Sequence, residues 1–485
     1  MLIVILYSIA ATWLALYGLH VLLLVIQCAR HRHDRTPIVP LGDYPRVTVQ
    51  LPMYNEPDVV ERVIDAAANF DWPRDRLQIQ VLDDSTDRTT ALARLRADFH
   101  RARGIDIELL HRAHRSGYKA GALAAGLDTA TGEFIAIFDA DFAPAPDFLQ
   151  HMLPHFVDHS IGFVQARWDH LPTAAPLARA LAIGVDGHFI VEQLARNRSG
   201  LPMIFNGSAG VWRKTCIQTS GGWSPDTMCE DMDLSMRAAM AGWKSVFVPE
   251  VAVLQEEPDR VDTIKSQHGR WAKGGAQCLR KLSVPLLRSN LSLVQKAGGL
   301  MYLSGYAAHL MMLIVLVLWL PLALQPQLFN RLPLTFLGLG GLGLPIEYVL
   351  SQLALYRTGG LRKLMMLPVL MALGFGLAFN NGLNVIDGLL TRSGEWPRTP
   401  KRGSNALSSG SLDLRHAWRA WIELGLSIYT LITARFMIET GQWITAGVLL
   451  IYAIGFALVG GGSLQTQRVT RTRPAPRSVQ DEALS

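Results

Sequence analysis

The sequence predicts an α/β domain with a mostly parallel sheet, set between membrane-spanning helices. Charge is scarce, with Asp, Glu, Lys and Arg at 18% of 485 residues, against about 25% in ordinary soluble domains. It is also unevenly placed, since residues 1–29 and 297–330 carry none of these four residue types. Between residues 45 and 290, in contrast, short apolar strands alternate with helical stretches, and acidic pairs close two of the strands. Mean hydropathy is +0.20. Both a wholly soluble enzyme and a bare bundle of spanning helices are excluded.

The apolar run 1–29 is followed, not preceded, by the basic cluster RHRHDR. A cleaved signal peptide carries its charge in front, so a spanning helix with a cytoplasmic C-terminal end fits better; about 20 residues suffice to cross the hydrocarbon. The net charge of +6 gathers at the flanks of apolar segments, in RHRHDR, RTGGLRK and RTRPAPR. That is the marking of cytoplasmic loops, and it argues against nucleic acid as a partner. Cys28, Cys216, Cys229 and Cys278 form no CxxC or metal-ligand series, which suits free thiols in a reducing setting.

In the middle region, VTVQLPMY (47–54) reads as a strand and EPDVVERVIDAAANF as a helix. IQVLDDS (79–85), IDIELLHR and EFIAIFDAD (133–141) read as further strands, separated by the helical TTALARLRADFHRARG and KAGALAAGLDTA. Such alternation implies a parallel sheet covered on both faces, with ligands beyond the carboxyl ends of the strands. Asp83 and Asp84, then Asp139 and Asp141, stand at those ends. Each set reads either as turn and cap residues or as a ligand site. The i, i+2 pair Asp139 and Asp141 offers two carboxylates around one point, as a hard divalent cation bridging diphosphate oxygens requires. There is no GxGxxG after the first strand and no GxxxxGK[ST], so dinucleotide and P-loop readings lack support.

Further along, QVLDDSTDRT (80–89), HRAHRSGYKAGAL (111–123), FDADFAP (138–144), VQARWDHL (164–171), FNGSAGVWRK (205–214), GGWSPDTMCEDMDLSMRAAMAGWKS (221–245) and QHGRW (267–271) follow in order. Residues 50–290 thereby resemble the catalytic domain of inverting family 2 glycosyltransferases of the cellulose-synthase-like kind, nearest to the mannan and glucomannan synthase branch. The resemblance implies a GT-A type nucleotide-sugar-binding fold at residues 45–290. It implies that Asp141, with Asp139, holds Mg²⁺ or Mn²⁺ against the donor diphosphate, and that Asp83 and Asp84 contact the nucleoside. Arg115 and Lys119 lie in a basic segment that either starts a solvated helix or approaches the donor phosphates.

Glu230, Asp231 and Asp233 crowd together in MCEDMDL, and like charges raise at least one pKa there. A carboxylate so raised is a better proton acceptor for a sugar hydroxyl. Matching to the family places the base at Asp231, beside Glu230, with Cys229 where the pattern usually has Thr. Asn206 and Gly207, in the FNGSAG turn, resemble the element lining the acceptor end. Gln267 and Arg270 match donor-side positions, and Trp271 offers an indole face to a sugar; Trp271 alone also reads as a membrane-interface anchor. EWPRTPK (395–401) resembles the gating loop of cellulose synthases through Trp396, Thr399 and Lys401, with Arg398 replacing a small apolar residue.

Spans are expected near 300–325, 333–356, 418–438 and 441–463, giving a membrane domain at 297–465. The segment 365–390 carries Asn380, Asn381, Asn384 and Asp387, which are expensive in lipid. Were it to cross, the basic loop 391–419 would face outward. An interfacial or re-entrant course keeps every basic cluster, and the basic tail 466–485 expected to be disordered, inside. The expected protein is therefore a multi-pass plasma (inner) membrane enzyme with its catalytic domain in the cytoplasm. It would be a processive inverting β-glycosyltransferase that builds a hexose polysaccharide from a GDP-mannose or UDP-glucose type donor and passes it through the membrane. The alternatives are single transfer to a lipid acceptor, and a transporter or scaffold with a decayed domain. The sequence names no export partner.

Overall fold

The computed structural model describes residues 1–34, 39–325, 340–356, 358–391 and 417–472. β-Branched and aliphatic residues form strands β1 (Val47–Met53), β2 (Leu77–Asp83), β3 (Asp106–His111), β4 (Phe134–Ile137), β5 (Ile161–His170), β6 (Gly210–Arg213) and β7 (Lys244–Gln255). They make one sheet in the order β3-β2-β1-β4-β6-β5-β7. β1 pairs in parallel with β2 and β4, and β5 with β7, whereas β6 runs antiparallel to both β4 and β5. β1 and β2 are buried along their whole length, as strands covered on both faces must be. The helices Val60–Ala68 and Thr89–Arg101 pack on one face through Val63, Ile64, Ala93 and Ala97. Tyr118–Thr129 and Glu230–Met240 cover the other through Leu123 and Leu234. The expected α/β domain with helices on both faces is the one observed.

Three helices, Leu2–His31, Trp418–Glu439 and Trp443–Thr466, are long and apolar enough to cross a membrane. Two bent pairs, Leu293–Leu303 with Ala307–Ala323 (65°) and Gly360–Gly376 with Ala378–Leu390 (45°), raise the number to five if each is one crossing. The chain is a multi-pass membrane protein. Residues 333–339 and 392–416 lie outside the described residues, and with them most of the loop 391–419; so does the tail beyond 472. Of the segment expected near 333–356, the described part holds the helix Gly343–Leu355.

The long helix Val261–Arg288 joins the two regions. It packs along Ala378–Leu390, and that contact explains the polar residues of the second helix. Asn380 Nδ2 donates to the Lys265 carbonyl at 3.0 Å, and Lys273 pairs with Asp387 at 2.6 Å. Asn384 lies against Gly269. Partners four residues apart along one helix thus meet residues three to four apart on the other. Lys265 also pairs with the fully buried Glu423 at 2.8 Å, tying the same helix to the span at 417–439.

Candidate active site

The carboxyl ends of β2 and β4 bring the predicted acidic residues to one edge of the sheet. Asp83 is wholly enclosed: it accepts from the Ser85 backbone N–H at 3.0 Å and Thr90 Oγ1 at 2.6 Å, and meets His111 Nδ1 at 2.8 Å. Asp84 accepts a two-pronged contact from Arg112, Nε at 2.7 Å and a terminal nitrogen at 2.6 Å. Arg115 stands 4.0 Å from Asp84, with its guanidinium over the Tyr54 ring at 3.6 Å. Sequence reasoning passed over Arg112, His111 and Tyr54. The segment HRAHR offers two arginines, and no local pattern says which one turns back across 28 residues to Asp84.

Lys119, in the first turn of Tyr118–Thr129, is the hub. Its Nζ lies 2.6 Å from Asp139 Oδ1, 2.9 Å from the Gly207 carbonyl oxygen and 3.8 Å from Glu230 Oε1. Burial alone would pull its pKa down; Asp139 and Glu230 overcome this and keep it firmly protonated. One ammonium thus joins the end of β4, the FNGSAG turn and the start of Glu230–Met240.

The turn at 206–209 is held from the VQARW segment. Gln165, fully buried, accepts from the Asn206 N–H at 2.9 Å and donates to the Ser208 and Ala209 carbonyls at 3.0 and 3.1 Å. Trp168 adds an indole hydrogen bond to the Ser208 carbonyl at 3.3 Å. Gly207 has φ +80°, and a Cβ there would come within 2.9 Å of Asp231 Oδ2, so both the backbone and the neighbouring carboxylate demand glycine.

The three acids of Glu230–Met240 differ in their partners. Asp233 is fully buried and pairs with Arg237 at 2.6 Å and Lys281 at 2.8 Å, a structural arrangement. Glu230 is buried, and that burial pushes its pKa up to about 7, against the pull of Lys119 and with a further push from Asp231. Asp231 is half-buried beside Gly207 and accepts from the Met232 N–H at 2.7 Å. Burial lifts it to about 6, with Lys119 opposing. A carboxylate poised there can accept a hydroxyl proton near neutral pH.

Arg270, half-buried on the helix Val261–Arg288, lies within electrostatic reach of Cys229, Asp139, Glu230 and Glu56. Trp271 is half-buried, edge-on to His268 with ring centroids 5.0 Å apart, and packs on the cluster of Ile204, Cys229 and Met232. Gln267 is half-buried one turn away on the same helix. Trp396, Thr399 and Lys401 lie outside the described residues.

Asp139 and Asp141 present oxygen ligands only, and Asp141 is 1% exposed. Among the described residues, no three His, Cys, Asp or Glu side chains gather as a metal-holding group. A carboxylate pair whose shell is completed by water and substrate phosphates matches the habit of Mg²⁺ and Mn²⁺ at diphosphates, so the donor set fits such an ion.

Residues 45–274 match the family described as glycosyltransferase like family 2. The chain is 42% identical over 262 residues to probable glucomannan 4-beta-mannosyltransferase 7 of Oryza sativa subsp. japonica, covering 53% of this chain and 45% of that protein. It is 40% identical over 262 residues to glucomannan 4-beta-mannosyltransferase 7 of Arabidopsis thaliana, covering 53% and 47%. The chain thus spans about half the length of the curated relatives it matches. Among solved structures its fold is similar to that of mannosyltransferase PcManGT from Pyrobaculum calidifontis, determined in complex with GDP-Man and Mn²⁺. The TM-score is 0.55 at 23% identity, over 79% of this chain and 99% of that one. The matched region, residues 45–274, takes in the motifs assembled at the strand ends of this sheet; it is similar to glycosyltransferase like family 2 and to the glucomannan 4-beta-mannosyltransferases.

Proposed function

We propose that this protein is an inverting, processive mannosyltransferase. It takes mannose from GDP-mannose, extends a β-1,4-linked polysaccharide on the cytoplasmic side of the plasma membrane, and passes the product between its own membrane helices. The observation that carries this reading is the junction at Lys119, which sets Asp139, the Gly207 turn and Glu230 around one point, with Asp231 alongside. The names of relatives about 40% identical support mannose as the sugar.

In this reading Asp139 and Asp141 hold Mg²⁺ or Mn²⁺, which when bound supplies Lewis-acid stabilisation of charge on the departing diphosphate. Lys119 and Arg270 add positive charge on the same side, and Gln267 supports them. Asp84, with Arg115, borders the nucleoside, while Asp83 acts by pinning the loop. The acceptor hydroxyl attacks the anomeric carbon from the face opposite the diphosphate. Its proton passes to Asp231 as the new C–O bond forms and the old one breaks, releasing GDP. Glu230 shapes the charge around that base. Trp271 supports the terminal sugar by stacking, and Asn206 and Gly207 line the acceptor end.

Two substitutions separate the roles. Asp231→Asn is expected to bind GDP-mannose almost as wild type does but to lose about 10²- to 10⁴-fold in transfer, the scale of a positioned base. Asp141→Asn is expected to weaken Mn²⁺ and donor binding together. Calorimetry beside a transfer assay checks both, and near-wild-type turnover in the Asp231 variant would remove the base from this account.

A further inference from the structure

Between the helices Pro176–Gly187 and Leu194–Arg198 the chain winds as a π-helix over His188–Gln193. Wide turns of this kind are rare and recur at functional sites. None of the roles described above uses the residues it carries, yet its side chains reach the acceptor turn.

Hydrogen bonding fixes the direction of every polar group along the way. Gln193 is fully buried, and its Nε2 donates to the Ile204 carbonyl at 2.7 Å. A carbonyl only accepts, so that atom must be the amide nitrogen, and its second N–H donates to Asn206 Oδ1. Asn206 is thereby forced to present Nδ2 to His188 Nε2, at 2.9 Å. A donor on that side requires a bare Nε2, which leaves the imidazole proton on Nδ1, 2.9 Å from Glu192 Oε2. Glu192 remains a carboxylate: burial pushes its pKa up, but the His188 hydrogen bond and the nearby Arg196 charge hold it below the ordinary value. Arg196, 2% exposed, is in turn anchored on the Gly298 carbonyl at 3.2 Å and His20 Nε2 at 3.1 Å. From Gln193 the donors therefore run in one direction, through Asn206 and His188, to a carboxylate beside the membrane helices.

For Asn206 the consequence is an amide that cannot turn over. One N–H is spent on His188 and one side of Oδ1 on Gln193, leaving one N–H and one lone pair in a fixed arrangement. A donor and an acceptor side by side complement two neighbouring hydroxyls of a sugar. We propose that His188, Glu192 and Gln193 are positioning residues for the glycan acceptor, which lock the Asn206 amide so that it reads a vicinal diol on the terminal sugar. This rests on the reading of the FNGSAG turn as the acceptor end.

The test uses the full-length protein with GDP-mannose, Mn²⁺ and β-1,4-mannotetraose, counting mannose lost to water beside mannose transferred. His188→Phe is expected to raise the KM for mannotetraose about tenfold, the scale of one directed hydrogen bond, with donor hydrolysis and donor KM within about twofold of wild type. Glu192→Gln, which lets the imidazole choose either tautomer, is expected to give a smaller rise. The double variant is expected to be no worse than His188→Phe, because both changes act through the same amide. An unchanged acceptor KM in His188→Phe, or additive effects in the double variant, would overturn the proposal. So would an equal loss of hydrolysis and transfer in both single variants, which would make the turn merely structural. Failure of the proposed function shows differently: there the wild-type protein itself transfers no mannose to mannotetraose, before any variant is made.

Discussion

At the start of Glu230–Met240 the fold sorts adjacent acids by the cations it gives them. Asp233 is consumed by Arg237 and Lys281, and Glu230 faces Lys119. Asp231 keeps a backbone N–H and the half-buried place beside Gly207. Its pKa, lifted to about 6 by burial and held from going further by Lys119, gives a pH dependence with a definite sign. The base works deprotonated, so kcat/KM, which reports the free enzyme, is expected to climb as pH rises through about 6 and to fall away below it. Lys119→Met removes the charge that pulls this pKa down, so the acid limb is expected to move to higher pH. A limb that stays put or moves lower would exclude Asp231 as the group titrating. The crowding of acids was legible in the sequence because it is local. The Arg112 clamp on Asp84 and the Gln165 brace on Asn206 were not, since each joins residues 28 and 41 positions apart, and strand periodicity carries no information about such pairings.

Among the elements, Ala378–Leu390 shows how a polar segment finds partners within a membrane protein. Asn380 and Asp387 bond to Lys265 and Lys273, Asn384 donates to the Asn380 carbonyl while lying against Gly269, and Asn381 is fully buried. The sequence made these residues conspicuous, but their partner lies more than a hundred residues away and is visible only in the packing. The contact is close enough to test. A Cβ at Gly388 would lie 2.3 Å from the Lys273 carbonyl oxygen, a backbone atom that cannot swing aside. Gly388→Val is expected to cost about 1–3 kcal/mol through overpacking, read as a lower unfolding temperature together with reduced transfer, because Arg270 and Trp271 ride on the displaced helix. An unfolding temperature equal to wild type would mean that the two helices are not held together in this way.

For the molecule as a whole, the alternating strands and the uncharged runs made the two-part architecture legible, and the order of motifs along the chain placed the site at the strand ends. The antiparallel insertion of β6 between β4 and β5 was not legible, because Gly210–Arg213 is too short to show a period. Orientation is expected from the charge pattern of the sequence alone: cysteines introduced at Gly104 and Ser404 are both expected to resist an impermeant thiol reagent in intact cells. Labelling of either position from outside would contradict that arrangement. The central claim is that the Lys119 junction serves mannan polymerisation, and product size tests it most directly. Purified protein is incubated with Mn²⁺ and radiolabelled GDP-mannose, with UDP-glucose in a parallel reaction, and the labelled product is sized before and after digestion with a β-1,4-mannanase. The expected result is a long, mannanase-sensitive polymer from GDP-mannose; a single labelled sugar on a lipid at every donor-to-acceptor ratio, or incorporation from UDP-glucose alone, would contradict it.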